Sequence, residues 1–174
     1  MDIDEVSARL EITDVLLRLG RGIDRNDVTL VTAAFHPEAT LSLGYYVGDL
    51  GGYLARFRAM AEAPVQPLSG VQHRVGNMSV EAVGDTARVE SYYDVCWRRQ
   101  LPDGGAVDEL AAARALDKLE RRGGVWAITS RTLVWDWAAS FPAGPTPWTG
   151  SDAHVVGARD MNDPAVAFWR DALA

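Results

Sequence analysis

The chain has 174 residues, 48% of them hydrophobic and 24% charged, and a formal net charge of −7. Those are ordinary figures for one folded domain with its own core, and the acidity argues against the clustered basic footprint of a nucleic-acid surface. No apolar run approaches the ~18 residues that would mark a membrane span, and the single cysteine, Cys96, excludes an internal disulfide.

Residues 4 to about 22 read as an amphipathic helix, with Asp4 and Glu5 where the helix dipole favours negative charge. Val6, Leu10, Leu17 and Ile12, Leu16, Leu19, Ile23 recur at three- and four-residue steps as a broad apolar face. Asp24 follows seven residues after Leu17, near the core-facing side, an awkward place for a carboxylate without a partner. A helix-to-helix connection through Asp24-Arg25-Asn26-Asp27 is the plain alternative, with Asp27 capping a short helix over 28–35. His36-Pro37 then reads as a loop. A first strand follows over 39–44, with Leu41 and Leu43 on one face, then a turn and return at Tyr45-Tyr46-Val47-Gly48. A helix over 51–63 stops at Pro64.

Four strand-like runs come next. The first, Val71 to Val83, puts Val71, His73, Val75 and Asn77 on one side by the two-residue period. The second follows a Gly84-Asp85 turn and aligns Ala87, Val89, Ser91, Tyr93, Val95 and Trp97. Asp103-Gly104 marks a hairpin. The third run, 106–120, is alanine-rich and helix-prone by propensity, yet the turn at Gly123-Gly124 brackets it as a strand. The fourth, 125–137, carries Arg131, Leu133, Trp135 and Trp137 at alternate positions. A Pro- and Gly-rich tail leads to a last helix from Pro164, capped by Asp163. Helices first and a long meander after predict an α+β fold, a curved antiparallel or mixed sheet with helices on one face.

A histidine among valines is either a satisfied core residue or a general base, and its own strand leaves both readings open. The order of elements, with Ile23-Asp24-Arg25-Asn26-Asp27, His73 and Asn77, and Gly123-Gly124-Val125-Trp126 leading to Arg131, resembles the SnoaL-like branch of the nuclear transport factor 2-like superfamily. Its scytalone dehydratase and hexachlorocyclohexane dehydrochlorinase types match best in these motifs. The resemblance implies a cone-shaped fold enclosing an apolar pocket, over residues 1–140, with 141–174 as a tail that packs on or flaps over it. It also implies that Asp24 orients a catalytic His73 and that Arg131 lies in the pocket. Two features of the dehydratase type are missing. Ile23 stands where that type has a tyrosine, and Tyr93, Val95 and Trp97 stand near the place of its second histidine.

On this reading the catalytic set is His73, Asp24 and Arg131, with Arg131 either stabilising developing negative charge or salt-bridged to Asp24 or another acid. Tyr93, Tyr45 and Tyr46 are set to polarise a carbonyl or to serve as core aromatics. Asn77 either binds substrate or hydrogen-bonds within the sheet. Leu41, Trp135 and Trp137 supply apolar walls. Ala111, Ala113 and Ala115 either leave room for a bulky substrate or pack beneath the helices. The expected activity is that of a cofactor-free lyase on a bulky, apolar, carbonyl-bearing small molecule. An isomerase or cyclase with the same base and a non-catalytic binding or assembly domain are the alternatives. No dinucleotide, Walker or nucleophile-elbow motif occurs, and His36, His73 and His154 lack metal-ligand spacing. No metal, nucleic-acid or membrane partner is expected, and a homodimer or homotrimer is. Cys96 is expected as a small buried hydrophobe. The acidic Met1–Glu5 start and the cysteine usage suit a cytoplasmic protein.

Overall fold

The computed structural model describes residues 3–63, 68–144 and 155–170. Helices α1 (Ile3–Asp24) and α2 (Val28–Ala33) come first, then strands β1 (Phe35–Ser42) and β2 (Val47–Asp49) and helix α3 (Leu50–Ala61). Four long strands follow, β3 (Leu68–Val83), β4 (Thr86–Gln100), β5 (Ala106–Arg122) and β6 (Val125–Pro142), and then α4 (Pro164–Arg170). The strands form one curved, unclosed sheet in the order β2-β1-β6-β5-β4-β3. Its pairs are antiparallel except for β1 with β6. This is the expected α+β architecture.

Ala106–Arg122 is a strand despite its alanines, because β4 and β6 pair with it along its length. The hairpin before it turns at Gly104, whose φ of +85° glycine adopts without steric cost. The helix α1 buries a narrower face than the periodicity suggests. Ala8, Ile12, Val15, Leu16 and Leu19 are buried, whereas Leu10 and Leu17 are exposed. Asp24 therefore continues the row Ile12–Leu16–Gly20 at four-residue steps, the row that lies against β3. The chain turns after it at Asn26, which takes a left-handed conformation (φ 52°) that asparagine tolerates. Asp27 then caps α2, accepting from the Thr29 and Leu30 N–H groups.

Three expectations on the way to the site need correction. His36 and Pro37 are strand residues rather than a loop, since β1 begins at Phe35. The pairing of β1 with β6 jumps from Phe35–Ile128 to Thr40–Ser130, so Pro37 falls where no ladder N–H is needed. Asn77 does not share the face of His73. The β3–β4 register shifts between Val75 and Met78, and this bulge turns Asn77 to solvent while Met78, Val80 and Ala82 pack on the core. Cys96 is half-buried, not buried. A bulge between Lys118 and Leu119 of β5 leaves Thr129 of β6 unpaired, so Ile128 and Arg131 both point to the buried side.

Candidate active site

Between the helices and the concave sheet lies a cavity of about 320 Å³. Its walls are largely apolar, with Leu19 and Ile23 from α1, Leu41 from β1, Phe57 from α3, Val95 from β4, and Leu133 and Trp135 from β6. The polar groups that reach it are His73, Tyr45, Tyr53, Tyr93, Arg56, Arg131 and Arg159. A few polar groups converging on an apolar hollow is the usual form of a small-molecule site.

His73 is held from behind by Asp24. Its Nδ1 stands 2.6 Å from Asp24 Oδ1. The backbone N–H of His73 donates to both carboxylate oxygens, at 3.1 and 3.0 Å. The two side chains are only 17% and 12% exposed. With the ring proton on Nδ1 donated to the carboxylate, the lone pair of the neutral ring is on Nε2. Gly20 sits against the Cβ of His73, so α1 lies close enough on β3 for Asp24 to reach the ring. Tyr93 packs its ring edge-on to the imidazole, 6.3 Å between centroids.

Arg131 does not meet Asp24. Its Nε and Nη2 form a two-pronged ion pair with Asp117, both at 2.8 Å, and Nη2 also donates to the Tyr93 hydroxyl at 2.9 Å. Burial works against the guanidinium charge, but Asp117 and Tyr93 more than offset it and hold Arg131 well above its usual range. Since the Tyr93 oxygen accepts from Arg131, its own proton is left to donate elsewhere, and the adjacent cation strengthens it as a donor. Burial likewise raises the phenol of Tyr53, keeping it protonated as a donor, whereas Tyr45 is largely exposed at the cavity mouth.

Of the expected binding residues, Leu41, Tyr45, Tyr93 and Trp135 line the cavity. Three do not. Tyr46 turns its hydroxyl to the Asp49 carbonyl at 2.7 Å. Ala115 is fully buried, packed with Tyr93 and Val95, and Ala113 is the alanine that opens into the cavity. Asn77 is exposed for the reason given above. Trp137 is half-exposed and lines nothing here, because a further β6 bulge beside Ala112 and Ala113 takes it off the face of Trp135. His154 lies outside the described residues. Four polar residues escape the sequence reading, Tyr53 and Arg56 of α3, Asp117 and Arg159. Asp117 falls two positions after Ala115, so the period of two does place an acid on the inner face opposite Arg131. Arg159 has no periodic signal, because it sits in an irregular segment after β6.

That segment is fastened by Asp163, which is 4% exposed. Its carboxylate accepts from the Ala158 and Ala165 N–H groups at 2.9 and 3.0 Å and pairs with Arg25 at 3.2 Å. Burial disfavours its charge, but those N–H groups and Arg25 outweigh it and hold the carboxyl below its ordinary 3.8. A depressed acid contributes stability that is complete above its ordinary value and fades as pH falls through the lower folded value. Protection of the Ala158 amide, the exchange rate taken relative to the intrinsic rate at each pH, is thus expected to hold above about pH 4 and to fall below it, before that of the sheet amides does. Equal loss of protection in both would contradict this fastening. Gly44 makes a second checkable joint. Its φ is +83°, and an added Cβ would stand 2.8 Å from Trp135 Nε1, which donates to the Leu43 carbonyl at 3.0 Å. Gly44→Ala is expected to cost about 1–3 kcal/mol and to move the Trp135 emission, read by urea unfolding and fluorescence.

A family model described as a SnoaL-like domain matches residues 4–132. The chain belongs to the SnoaL-like domain family. No curated protein sequence matches it. Among solved structures, a candidate scytalone dehydratase from Novosphingobium aromaticivorans superposes with a TM-score of 0.67 at 15% identity, over 84% of this chain and 96% of that one. A hexachlorocyclohexane dehydrochlorinase, LinA type 2, gives 0.64 at 20% identity over 87% and 100%. A cystatin-like-fold protein of unknown function from Nostoc punctiforme gives 0.58 at 21% identity over 74% and 90%. At such identities the likeness is one of fold. The SnoaL-like frame places helices over a curved sheet, as found here, and no helix among the described residues is long and apolar enough to cross a membrane.

Proposed function

We propose that this SnoaL-like protein is a cofactor-free lyase in which His73 removes a proton from carbon and a leaving group departs from the neighbouring carbon. The observation that carries the reading is the 2.6 Å contact between His73 Nδ1 and Asp24 Oδ1 beside an apolar cavity. A carboxylate on Nδ1 holds the ring in one tautomer and stabilises the imidazolium that forms when Nε2 takes the proton. Tyr93, backed by Arg131, donates to the oxygen of a carbonyl beside the reacting carbon, where enolate charge develops. Arg131 is then a positioning residue, since Asp117 and Tyr93 engage it. The dehydratase and dehydrochlorinase types among the fold relatives perform eliminations by name, which supports the reaction class.

The test uses 3-hydroxy-1-tetralone, a bicyclic β-hydroxy ketone of a size suited to the cavity. Loss of the C2 proton to His73 and of the C3 hydroxyl as water leaves an enone that tautomerises to fluorescent 1-naphthol. Formation of 1-naphthol by the wild type, with none above background in the His73→Ala variant, supports the reading. Equal rates in the two proteins overturn it. The same mixture in deuterium oxide separates the isomerase or cyclase alternative, which predicts label at C2 of recovered ketone without naphthol.

A further inference from the structure

Arg159 is one of the polar groups of the cavity to which the elimination chemistry gives no task. Its Nη2 donates to the Ile23 carbonyl at 3.3 Å, and its own carbonyl accepts from Asn26 Nδ2 at 2.9 Å. The residue is therefore held at the end of α1. Its Nε and Nη1 are buried and have no hydrogen-bond partner among the described residues. Asp24, the acid nearest in effect, already holds His73. A guanidinium cannot shed its charge under ordinary conditions, so buried N–H groups on it call for an acceptor. Burial pulls its pKa below the usual value, as expected of a cation short of counter-charge.

The surroundings indicate the sign of that acceptor. Among the described residues, three arginines, Arg56, Arg131 and Arg159, reach the cavity and no carboxylate side chain does. Arg131 is neutralised by Asp117, and Arg56 is exposed at the rim. Among the described residues of the cavity, the half-buried Arg159 is the cation whose enclosed N–H groups lack an ion-pair partner. Arg159 also lines a more polar outer groove that shares Leu68, Val71 and Trp97 with the cavity. The acids of that groove are already engaged, Asp24 by His73, Asp108 by Arg98, Glu109 by Arg99, Asp163 by Arg25, and Asp160 by the Asn162 N–H. It stands where the groove meets the apolar interior.

We propose that Arg159 binds a carboxylate of the substrate, so that the cavity selects bulky apolar acids over their neutral counterparts. A carboxylate suits the guanidinium in charge and planar geometry, and with that end held at the groove the ring system extends inward past His73 towards Leu133 and Trp135. The inference rests on the cavity being the substrate site and deepens the proposed function by naming a substrate class.

Calorimetric titration with 2-naphthoate and 2-naphthamide, which match in shape and differ in charge, tests it without turnover. The wild type is expected to bind the carboxylate at least about tenfold more tightly than the amide. Arg159→Met removes that preference and leaves amide binding unchanged. If the Met substitution also speeds amide exchange at Ala158, Arg159→Lys decides, because it keeps the cation. A preference retained there supports the assignment, and one lost overturns it. Equal affinity of the two probes for the wild type, including no binding of either, overturns it too, as does an undiminished preference in Arg159→Met. The His73→Ala variant keeps the preference on this account, so failure of the base assignment and failure of the anchor assignment give different results.

Discussion

His73→Ala is expected to lower elimination from 3-hydroxy-1-tetralone by roughly 10²–10⁴-fold, the usual worth of a positioned general base. The loss is expected in the rate at saturation more than in binding, since an imidazole removed from one wall leaves the apolar walls of Leu133 and Trp135 in place. Asp24→Asn is expected to fall in the same range for a different reason. An amide at position 24 can present its NH₂ to Nδ1, which favours the tautomer with the proton on Nε2 and removes the lone pair from the cavity. Circular dichroism and urea unfolding of both variants are expected to stay close to the wild type for Asp24→Asn. For His73→Ala a larger loss is expected, since a ring that is only 17% exposed leaves a void and takes a partner from the Asp24 carboxylate. Saturating rates for both variants within threefold of the wild type would contradict a catalytic pair and leave a structural clasp between α1 and β3.

The second large effect is one of stability. Asp117→Ala is expected to destabilise the fold by about 3–5 kcal/mol, because it strands the Arg131 guanidinium in the core. The ion pair is almost wholly enclosed, with 6% and 0% of the two side chains exposed. The magnitude reflects the stranded charge more than the worth of the pair. Replacing both partners with apolar residues, Asp117→Leu with Arg131→Met, is therefore expected to cost less than Asp117→Ala alone. The double variant also removes the donor to the Tyr93 hydroxyl. It is expected to fold and yet turn over slowly, which separates the role of Arg131 in catalysis from its role in packing. The midpoints of urea unfolding and the 1-naphthol assay on the same preparations check both statements.

Most of the fold was legible because its signals are local. The two-residue period of Ala87 through Trp97, the turns at Gly84 and Gly104, and the Asp27 cap each act over a few residues, and each appears where expected. The strand character of Ala106–Arg122 came from its bracketing turns, against its composition. Parity was readable only between bulges. A single extra residue after Val75 turns Asn77 outward, and another beside Ala112 and Ala113 takes Trp137 off the face of Trp135. Bulges leave little trace in a sequence when the residues around them stay apolar or small.

The pairing of Asp24 with His73 spans 49 positions. Helix and strand periods placed each group near the core separately, and the family resemblance joined them. Even there, the spacing that points Asp24 inward counts from Leu10 and Leu17, which are exposed; the row that delivers Asp24 is Ile12, Leu16 and Gly20. Asp117 was within reach of the same alternation that singled out Ala113 and Ala115, as the acid an inward Arg131 required. Arg159 was not, because an irregular segment carries no period from which to read a direction.

The central claim is that Asp24 fixes the His73 ring so that Nε2 offers its lone pair to the cavity. Long-range ¹H–¹⁵N correlation spectra of ¹⁵N-histidine-labelled protein test this on the atoms concerned. The neutral ring of His73 is predicted to show a pyrrole-type, protonated Nδ1 and a pyridine-type Nε2, with the pattern reversed or mixed in Asp24→Asn. A neutral wild-type ring carrying its proton on Nε2 would contradict the account, because no base would then face the substrate.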